Sequence, residues 1–318
     1  MRVAITGATG LVGQALCSAL TTHDFLIRAI VRSANIDLKS SLFEIAPINE
    51  INGQTDWFNA LKDVDCVLHC AARAHVMNET ETDALAAYRT VNVDGTRRLV
   101  EQSVKSGVKR LVYLSSIKVN GEHTSKDLCF TATDIAKPED HYGISKWEAE
   151  QVLIEVAART GLEVVIIRPP LVYGPGVKGN FHSMLKWLSR GIPLPLGAIH
   201  NMRSLVGIDN LVDLIITCID HPAAANQTFL VSDGEDLSTT DLLRRLGKAL
   251  HKPARLLPVP ASVLEVAAQL LGKKDVAQRL LDNLQVDISK TREVLDWSPL
   301  VSVDEGLQKT ADWFLSQQ

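Results

Sequence analysis

The chain has 318 residues, of which 46% are hydrophobic, 22% charged and 5% aromatic, a composition typical of a globular α/β protein. The formal net charge is -4 and no long lysine or arginine run is present, so nucleic-acid binding is not expected. No apolar run approaches the roughly 18 residues needed to span a bilayer, and no secretory signal is visible, so a cytoplasmic location without membrane insertion is expected.

Short β-branched runs alternate with longer helical patterns along the first two thirds of the chain. These strands are apolar on consecutive residues, which indicates a sheet covered by helices on both faces. The pattern therefore predicts an α/β fold with a doubly wound parallel sheet. Strands are predicted at 3–6, 27–31, 66–69, 111–114, 164–167 and 229–231, and helices at 11–20, 84–106 and 145–160.

The texture changes after Arg168, where prolines and glycines cluster and indicate irregular loops. A smaller second lobe is predicted to begin there, with a helical tract over 261–284. The predicted large domain spans 1–168 with a returning segment at about 205–231. The smaller C-terminal α/β lobe is predicted to comprise 169–204 and 232–318.

A glycine-rich turn, GATGLVG at residues 7–13, joins the first predicted strand to the first helix. Gly7 permits the tight turn, Gly10 lets the backbone approach a pyrophosphate, and Gly13 lets the helix pack on the strand. The helix N-terminus attracts an anion. The turn therefore predicts that Gly7, Gly10, Leu11, Val12 and Gly13 bind a dinucleotide.

The residue after the second predicted strand bears on which dinucleotide binds. An NAD enzyme usually carries an acidic residue there for the ribose 2′-hydroxyl. This chain has Arg32, whose planar guanidinium suits a 2′-phosphate, so NADP(H) is slightly favoured over NAD. A solvated arginine at the strand end is the alternative, and it leaves NAD open.

Tyr142 and Lys146 are four residues apart at the start of a predicted helix, so they share one face. The tyrosine hydroxyl has a reference pKa near 10, and a nearby ammonium and a positive nicotinamide ring would both favour the phenolate. The pair is therefore predicted to transfer a proton. Taken alone, the same spacing also fits an ordinary surface pair.

The glycine spacing, the hydroxyls Ser115 and Ser116 after the predicted strand 111–114, and the Tyr-x-x-x-Lys pair follow one another in a known order. The chain resembles the NAD-dependent epimerase/dehydratase group of the extended short-chain dehydrogenase/reductase family over nearly its whole length, which implies a Rossmann-type sheet. The resemblance implies that Ser116, Tyr142, Lys146 and Asn92 are the catalytic set. Asn92 would support the backbone of the active site.

The resemblance implies further binding residues. Arg203 matches an arginine that contacts the diphosphate of a UDP-sugar, and Asn180 lies near a matching asparagine. Two departures are the missing second arginine motif and Val119-Asn120-Gly121, where the family commonly has Val-Tyr-Gly. Implied cofactor contacts beyond the glycine turn are Arg32, Glu50, Ile51, Ala71, Ala72, Ser115, Tyr142, Lys146 and Pro169.

The function implied by the resemblance is oxidoreduction or epimerisation at C4 of a UDP-hexose or UDP-N-acetylhexosamine. An NADPH-dependent 4-ketoreductase of a UDP-4-keto-6-deoxy-sugar, serving surface polysaccharide synthesis, fits the same residues. A non-catalytic dinucleotide-sensing protein is the alternative from another class. The family also implies a homodimer through the helices that hold Asn92 and Tyr142. The nine histidines form no ligand motif, so no metal is expected.

Overall fold

The computed structural model describes residues 1–32, 43–74, 83–272 and 274–317. Within these ranges, seven strands form a parallel sheet in the order β3-β2-β1-β4-β5-β6-β9, and three form a second sheet in the order β10-β8-β7. The first order is that of a doubly wound Rossmann-type sheet, so the predicted fold class is confirmed. The strands are β1 (Arg2–Thr6), β2 (Leu26–Val31), β3 (Phe43–Pro47), β4 (Cys66–His69), β5 (Arg110–Leu114), β6 (Glu163–Arg168), β7 (Leu171–Tyr173), β8 (Arg203–Gly207), β9 (Gln227–Leu230) and β10 (Asp236–Leu237).

Helices connect the strands, and a π-helical turn, Thr90–Asp94, joins α3 to α4. None of the described helices is both long and apolar enough to cross a membrane. The described helices are α1 (Leu11–Leu20), α2 (Phe58–Leu61), α3 (Ala84–Arg89), α4 (Gly95–Lys105), α5 (His141–Thr160), α6 (Gly179–Ser189), α7 (Ile208–Asp220), α8 (Thr239–Ala249), α9 (Ala261–Leu270), α10 (Lys274–Leu281), α11 (Ser289–Leu295) and α12 (Val303–Ser316).

Two apolar layers enclose the large sheet. Leu16 of α1 and Leu211 of α7 belong to the layer on one face, and Leu99 of α4 and Leu153 of α5 belong to the layer on the other. All four side chains are fully buried. Burying a leucine stabilises a fold by about 1.5–3 kcal/mol, so these two layers fix the helices that carry the site.

The six predicted strands are all present, with ends within two residues of the predicted ones. Strand β3 and the three strands of the small sheet, β7, β8 and β10, were not predicted. Within the described ranges β3 pairs with β2 alone, at the edge of the sheet, and carries the exposed Glu44 and the exposed Pro47. An edge strand of this kind lacks the continuous apolar run that marks a central strand.

A third apolar cluster lies below the small sheet and includes Phe181 of α6, Leu243 of α8 and Leu307 of α12. The helical tract predicted over 261–284 is interrupted: α9 ends at Leu270, and Gly272 has a left-handed backbone with φ +65. A glycine in this conformation ends a helix. The domain boundaries given above stay a prediction.

Candidate active site

The glycine turn between β1 and α1 leaves no room for side chains at two of its three glycines. A Cβ on Gly13 would lie 2.1 Å from the carbonyl oxygen of Gly7, and a Cβ on Gly7 would lie 2.8 Å from the amide nitrogen of Ala71. Gly7 also has φ +68, which favours glycine. A Cβ on Gly10 would meet only the Gly7 oxygen, at 3.3 Å, so its outer side is open.

The N-terminus of α1 is suited to an anion. Gly10 is its N-cap residue and supplies no side-chain cap, and the first helical turn holds no acidic residue. The backbone N–H groups of this turn can therefore donate hydrogen bonds to a ligand, and the helix dipole attracts a negative charge. The half-buried Leu11 and Val12 follow directly. This donor set fits the pyrophosphate of a dinucleotide.

A buried polar row holds the loop after β4 against this turn. The Nδ1 of His69 lies 2.7 Å from Thr6 Oγ1, and its Nε2 lies 2.9 Å from Thr96 Oγ1. The amide of Ala71 donates to the same Thr6 oxygen, at 3.2 Å. Burial lowers the pKa of His69 to about 3, so the ring is neutral in the folded protein. The half-buried Ala72 follows in the same loop.

Sequence reasoning missed His69. The feature of the sequence that could have identified it is a polar residue at the end of a short apolar run. This run is the fully buried strand Cys66–His69. A buried imidazole requires hydrogen-bond partners, so such a residue predicts a buried polar contact. Nothing in the local pattern names Thr6 or Thr96 as those partners.

Tyr142 and Lys146 lie in the first turns of α5. The helix begins after Asp140, whose side chain caps it by accepting a hydrogen bond from the Gly143 amide at 2.6 Å. The Tyr142 ring lies against Tyr88, with 6.2 Å between ring centroids. Helical geometry thus places both predicted proton-transfer residues on one face, as the spacing indicated.

Lys146 is one of the largest fully buried side chains, with 1% of its surface exposed. Its Nζ donates to the Leu114 carbonyl at 2.6 Å and lies 4.0 Å from the centre of the Tyr113 ring. Burial lowers the pKa of this ammonium to about 7, and the carboxylate of Glu150, one helical turn later, acts in the opposite direction. Lys146 therefore lies at the carboxyl end of β5 with a pKa close to neutral pH, so its charge is sensitive to its surroundings.

The pKa of Tyr142 differs from the expectation. Burial raises this pKa above its usual range, and the nearby Asp140 and Tyr88 act in the same direction. Burial, Asp140 and Tyr88 therefore favour the protonated phenol. A positive nicotinamide ring would act oppositely, because a cation favours the phenolate.

Two neighbouring serines at the end of β5 have different surroundings. Ser115 is buried and donates to Oε1 of Glu150 at 2.5 Å. Ser116 is half-buried and caps the 3₁₀ turn Ile117–Val119 by accepting from the Lys118 amide at 3.3 Å. Of the two serines, Ser116 is therefore the less buried.

The buried carboxylate of Glu150 forms a two-pronged ion pair with Arg168. Nε and Nη2 of Arg168 donate to the two carboxylate oxygens at 2.9 and 2.6 Å. Nη1 of Arg168 donates to Asn120 at 3.0 Å, and Asn120 donates to the Thr131 carbonyl at 2.9 Å. Asn120 stands where the family pattern has tyrosine, so here that departure is a member of the buried network.

Asn92 lies in the π-helical turn and connects two parts of the site. Its side-chain nitrogen donates to the Arg73 carbonyl at 3.0 Å and to Ser145 Oγ at 2.9 Å, and its oxygen accepts from the Arg73 amide at 2.8 Å. Ser145 in turn donates to the Tyr142 carbonyl at 2.8 Å. Asn92 therefore ties the loop after β4 to the helix of Tyr142. Single π-helical turns are frequent at functional sites.

Comparison with known proteins identifies the family of this chain. Residues 3–232 match the model of the NAD dependent epimerase/dehydratase family. The chain belongs to this family. The resemblance predicted from the sequence is thereby confirmed.

Individual relatives cover almost the whole chain. A UDP-glucose 4-epimerase of Vibrio cholerae is 50% identical over 315 residues, which are 98% of this chain and 95% of that protein. The N-acetyl-alpha-D-glucosaminyl-diphospho-ditrans,octacis-undecaprenol 4-epimerase of Escherichia coli O157:H7 is 30% identical over 285 residues, 86% of this chain and 81% of that protein. The crystal structure of UDP-glucuronic acid 4-epimerase from Bacillus cereus in complex with NAD superposes with a TM-score of 0.79 at 20% identity, covering 100% of this chain and 99% of that one.

The residues predicted to contact the adenosine end of the dinucleotide follow β2 and β3. A Cβ on Gly95 of α4 would lie 2.5 Å from Cγ2 of Ile51, so α4 packs closely on that residue. Glu50 is exposed, and its carbonyl accepts from Thr55 at 2.6 Å. Arg32 is exposed after β2, and residues 33–42, which follow it, lie outside the described ranges. The preference for NADP(H) stays a prediction.

The predicted substrate residues of this family member are Arg203 and Asn180. Arg203 begins β8, is half-buried, and donates to the Asp282 carbonyl at 2.9 Å. Burial lowers its pKa, and the charges of Asp282 and Glu122 act in the opposite direction. Asn180 is exposed in the first turn of α6. Buried Pro169 accepts from the Ile117 amide at 2.9 Å, which places it beside the Ser116 turn.

The small lobe contacts the start of α1. A Cβ on Gly176 would lie 3.3 Å from Cδ1 of Leu11, so the loop after β7 contacts the start of α1. Among the described residues, no group of three or more histidine, cysteine, aspartate or glutamate side chains is arranged to hold a metal ion. The site therefore offers proton transfer, hydrogen bonding and cationic anchoring.

Proposed function

We propose that the protein is an NAD-dependent 4-epimerase of a UDP-hexose. The observation that carries this proposal is the 50% identity, over 98% of the chain, to a UDP-glucose 4-epimerase. The buried Lys146 beside Tyr142, and the open N-terminus of α1, support it from the geometry.

Each residue then has a defined task. A bound NAD would supply the hydride chemistry at C4. Tyr142 takes the proton of the 4-hydroxyl and later returns it, while Lys146 stabilises the phenolate by its charge. Ser116 donates a hydrogen bond to the reacting sugar oxygen. Arg203 binds the diphosphate, because its guanidinium group matches phosphate oxygens.

We propose NAD rather than NADP(H) as the dinucleotide. The family is described as NAD dependent, and the Bacillus cereus neighbour was solved with NAD. The exposed Arg32 is then a solvated strand-end residue, the alternative weighed in the sequence analysis.

The test is to purify the protein, denature it and identify any released dinucleotide by mass. We expect NAD, and we expect the folded protein to interconvert UDP-glucose and UDP-galactose with no dinucleotide added. UDP-N-acetylglucosamine is offered in parallel to define the sugar. The Tyr142→Phe variant should retain the dinucleotide and lose about 10²- to 10⁴-fold in turnover. A requirement for added NADPH, consumed once per turnover, would establish the 4-ketoreductase instead.

A dinucleotide-sensing protein without catalysis predicts a different result. Such a protein would release NAD on denaturation but convert no UDP-sugar, and Tyr142→Phe would change nothing that can be measured.

A second candidate is the same epimerisation on a hexosamine linked through diphosphate to a polyprenol. The Escherichia coli relative is named for such a substrate. The observation that favours it here is the exposed apolar surface of α9. A direct comparison of turnover on the soluble and the lipid-linked sugar decides between them.

A further inference from the structure

Helix α9 presents apolar side chains to solvent. None of its residues is buried. Val263, Val266 and Leu270 are 54%, 58% and 83% exposed, and their spacing of three and four residues aligns them on one face. Leu264 on another face packs against the apolar cluster of the small lobe. The helix is therefore anchored on one side and exposes an apolar ridge, defined as Val263, Val266 and Leu270, on the other.

Further apolar residues are exposed on the segments next to this ridge. The stretch before α9 lies beside residues 194–198: Leu194 bonds to Arg255, and Leu257 donates to the Leu194 carbonyl at 2.8 Å. On the stretch before α9, Leu257 is 52% exposed, and Ile192, two residues ahead of Leu194, is 40% exposed. Large exposed apolar areas are typical of interaction surfaces.

The same part of the lobe is strongly basic. Residues 176–208 and 242–264 contain no aspartate or glutamate, yet they hold nine lysines and arginines, in a chain whose net charge is -4. Those nine are Lys178, Lys186, Arg190, Arg203, Arg244, Arg245, Lys248, Lys252 and Arg255.

Most of these cations are exposed. Arg245 pairs with Glu235 and Asp304, and Arg244 pairs with Asp241. The exposed members of the set include Lys186, Arg190, Lys248, Lys252 and Arg255.

The two basic segments meet where the chain folds back ahead of α9. Lys252 donates to the Ser189 carbonyl at 2.6 Å, which joins the end of α6 to the stretch that leads into α9. An open depression of about 390 Å³ at the end of α6 is lined by His182, Lys186, Ser189, Arg190, Phe314 and Gln317, none of them acidic. Trp187 beside it is 43% exposed. Lysine, arginine and tryptophan around an apolar helix are typical of a protein surface that meets lipid headgroups.

We propose that the apolar ridge of α9 and the surrounding cations dock the protein on an anionic membrane surface. The ridge would enter the headgroup region while the cations contact lipid phosphates. A helix of ten residues is about 15 Å long, so it lies in the interface and cannot span the bilayer. Charge complementarity favours a membrane over a second copy of this chain, because two such basic surfaces repel each other.

The experiment is co-sedimentation of the full chain with vesicles of phosphatidylcholine alone or of phosphatidylcholine mixed with phosphatidylglycerol. We expect binding to the mixed vesicles and release at high salt, because the attraction is screened. Val266→Asp with Leu270→Asp should lower the partition coefficient at least tenfold. Arg190→Glu with Arg255→Glu should lower it by about fivefold or more for each cation replaced.

Matched variants control for exposure and charge. Leu26, 62% exposed at the start of β2, tests another apolar position as Leu26→Asp. Lys62→Glu with Lys105→Glu makes the same change in net charge at the C-terminal ends of α2 and α4. Both controls should sediment like the original chain. Equal binding to both vesicle types, unchanged binding of the ridge variant, or self-association that the ridge variant abolishes would each overturn the proposal. Turnover of a soluble UDP-sugar by the ridge variant is measured separately, so failure of the proposed activity leaves this result interpretable.

Discussion

At the scale of single residues, the site depends on polar groups that are buried and paired. His69 is 1% exposed and Lys146 is 1% exposed, and both have pKa values lowered mainly by burial. Burial disfavours the charged form of either group, so stability falls as pH drops from 10.5 to about 7 for Lys146 and from 6.5 to about 3 for His69.

Acid should destabilise the protein through His69. Its pKa is about 3 in the folded protein and 6.5 in an ordinary environment, so only the unfolded chain takes up this proton between those values. Stability is therefore lost as pH falls from 6.5 towards 3, by up to about 1.4 kcal/mol per pH unit. We expect His69→Gln to weaken this dependence, measured by urea unfolding at pH 7, 6 and 5. The exposed His23 is the control, and an identical effect of His23→Gln would contradict the assignment.

Substitutions of the glycines in the dinucleotide turn should have two different effects, one on stability and one on dinucleotide affinity. Gly13→Ala forces a Cβ to within 2.1 Å of the Gly7 oxygen, so we expect a loss of about 1–3 kcal/mol in unfolding free energy. Gly10→Ala meets only one atom, at 3.3 Å, and Gly10 has φ -81, so the fold should persist. Its methyl group would occupy the open side, and dinucleotide affinity should fall at least tenfold by calorimetry. Normal affinity in a stable Gly10→Ala protein would show that the dinucleotide binds elsewhere.

At the scale of elements, α5 brings the chemistry together. One helix carries Tyr142, Lys146 and Glu150 at intervals of four residues, and the carboxylate of Glu150 reaches Ser115 of the β5 end and Arg168 of β6. The position of the catalytic pair along the sheet edge is thus tied to two neighbouring strands.

Removing one partner of the buried ion pair should be costly. Glu150 is 0% exposed and Arg168 is 7% exposed, so Glu150→Gln leaves a buried guanidinium uncompensated. We expect about 3–5 kcal/mol of destabilisation, measured by urea unfolding. Replacing both, as Glu150→Leu with Arg168→Met, should recover much of it. On the same helix, the exposed Glu155 pairs with Arg159, and Glu155→Gln should cost about 0.5 kcal/mol or less. Equal effects of the two glutamates would argue against the buried network.

At the scale of the whole molecule, charge and apolar area are unevenly distributed. The net charge of -4 excludes a basic field over the chain as a whole, yet two segments of the small lobe carry nine cations and no carboxylate. The remaining segments must therefore be acidic in compensation. The net charge of the whole chain therefore does not reveal the local charge of one part of its surface.

A second apolar stripe supports the predicted homodimer. Trp147 and Ile154 of α5 are 37% and 49% exposed, seven residues apart on one face. Helix α4 packs beside α5. We propose that these helices pair with those of a second copy, and we expect Ile154→Asp to produce a monomer in light scattering coupled to gel filtration. Val266→Asp on α9 is the matched control and should remain a dimer. A monomeric original chain would overturn this prediction.

The sequence by itself determined the features that depend on short-range patterns. Continuous apolar runs identified the central strands, glycine spacing identified the turn before α1, and a four-residue interval placed Tyr142 and Lys146 on one helical face. Each follows from backbone geometry within a few residues.

Only the tertiary structure decided which distant groups meet. Glu150 with Arg168, His69 with Thr96, and the cations of residues 186–190 with those of 248–255 are brought together by packing. Burial then changes the energetics of the first two pairs, because hydrogen bonding and charge count for more where water is excluded. Neither the partner nor the burial is encoded in a local period, so these features required the folded chain.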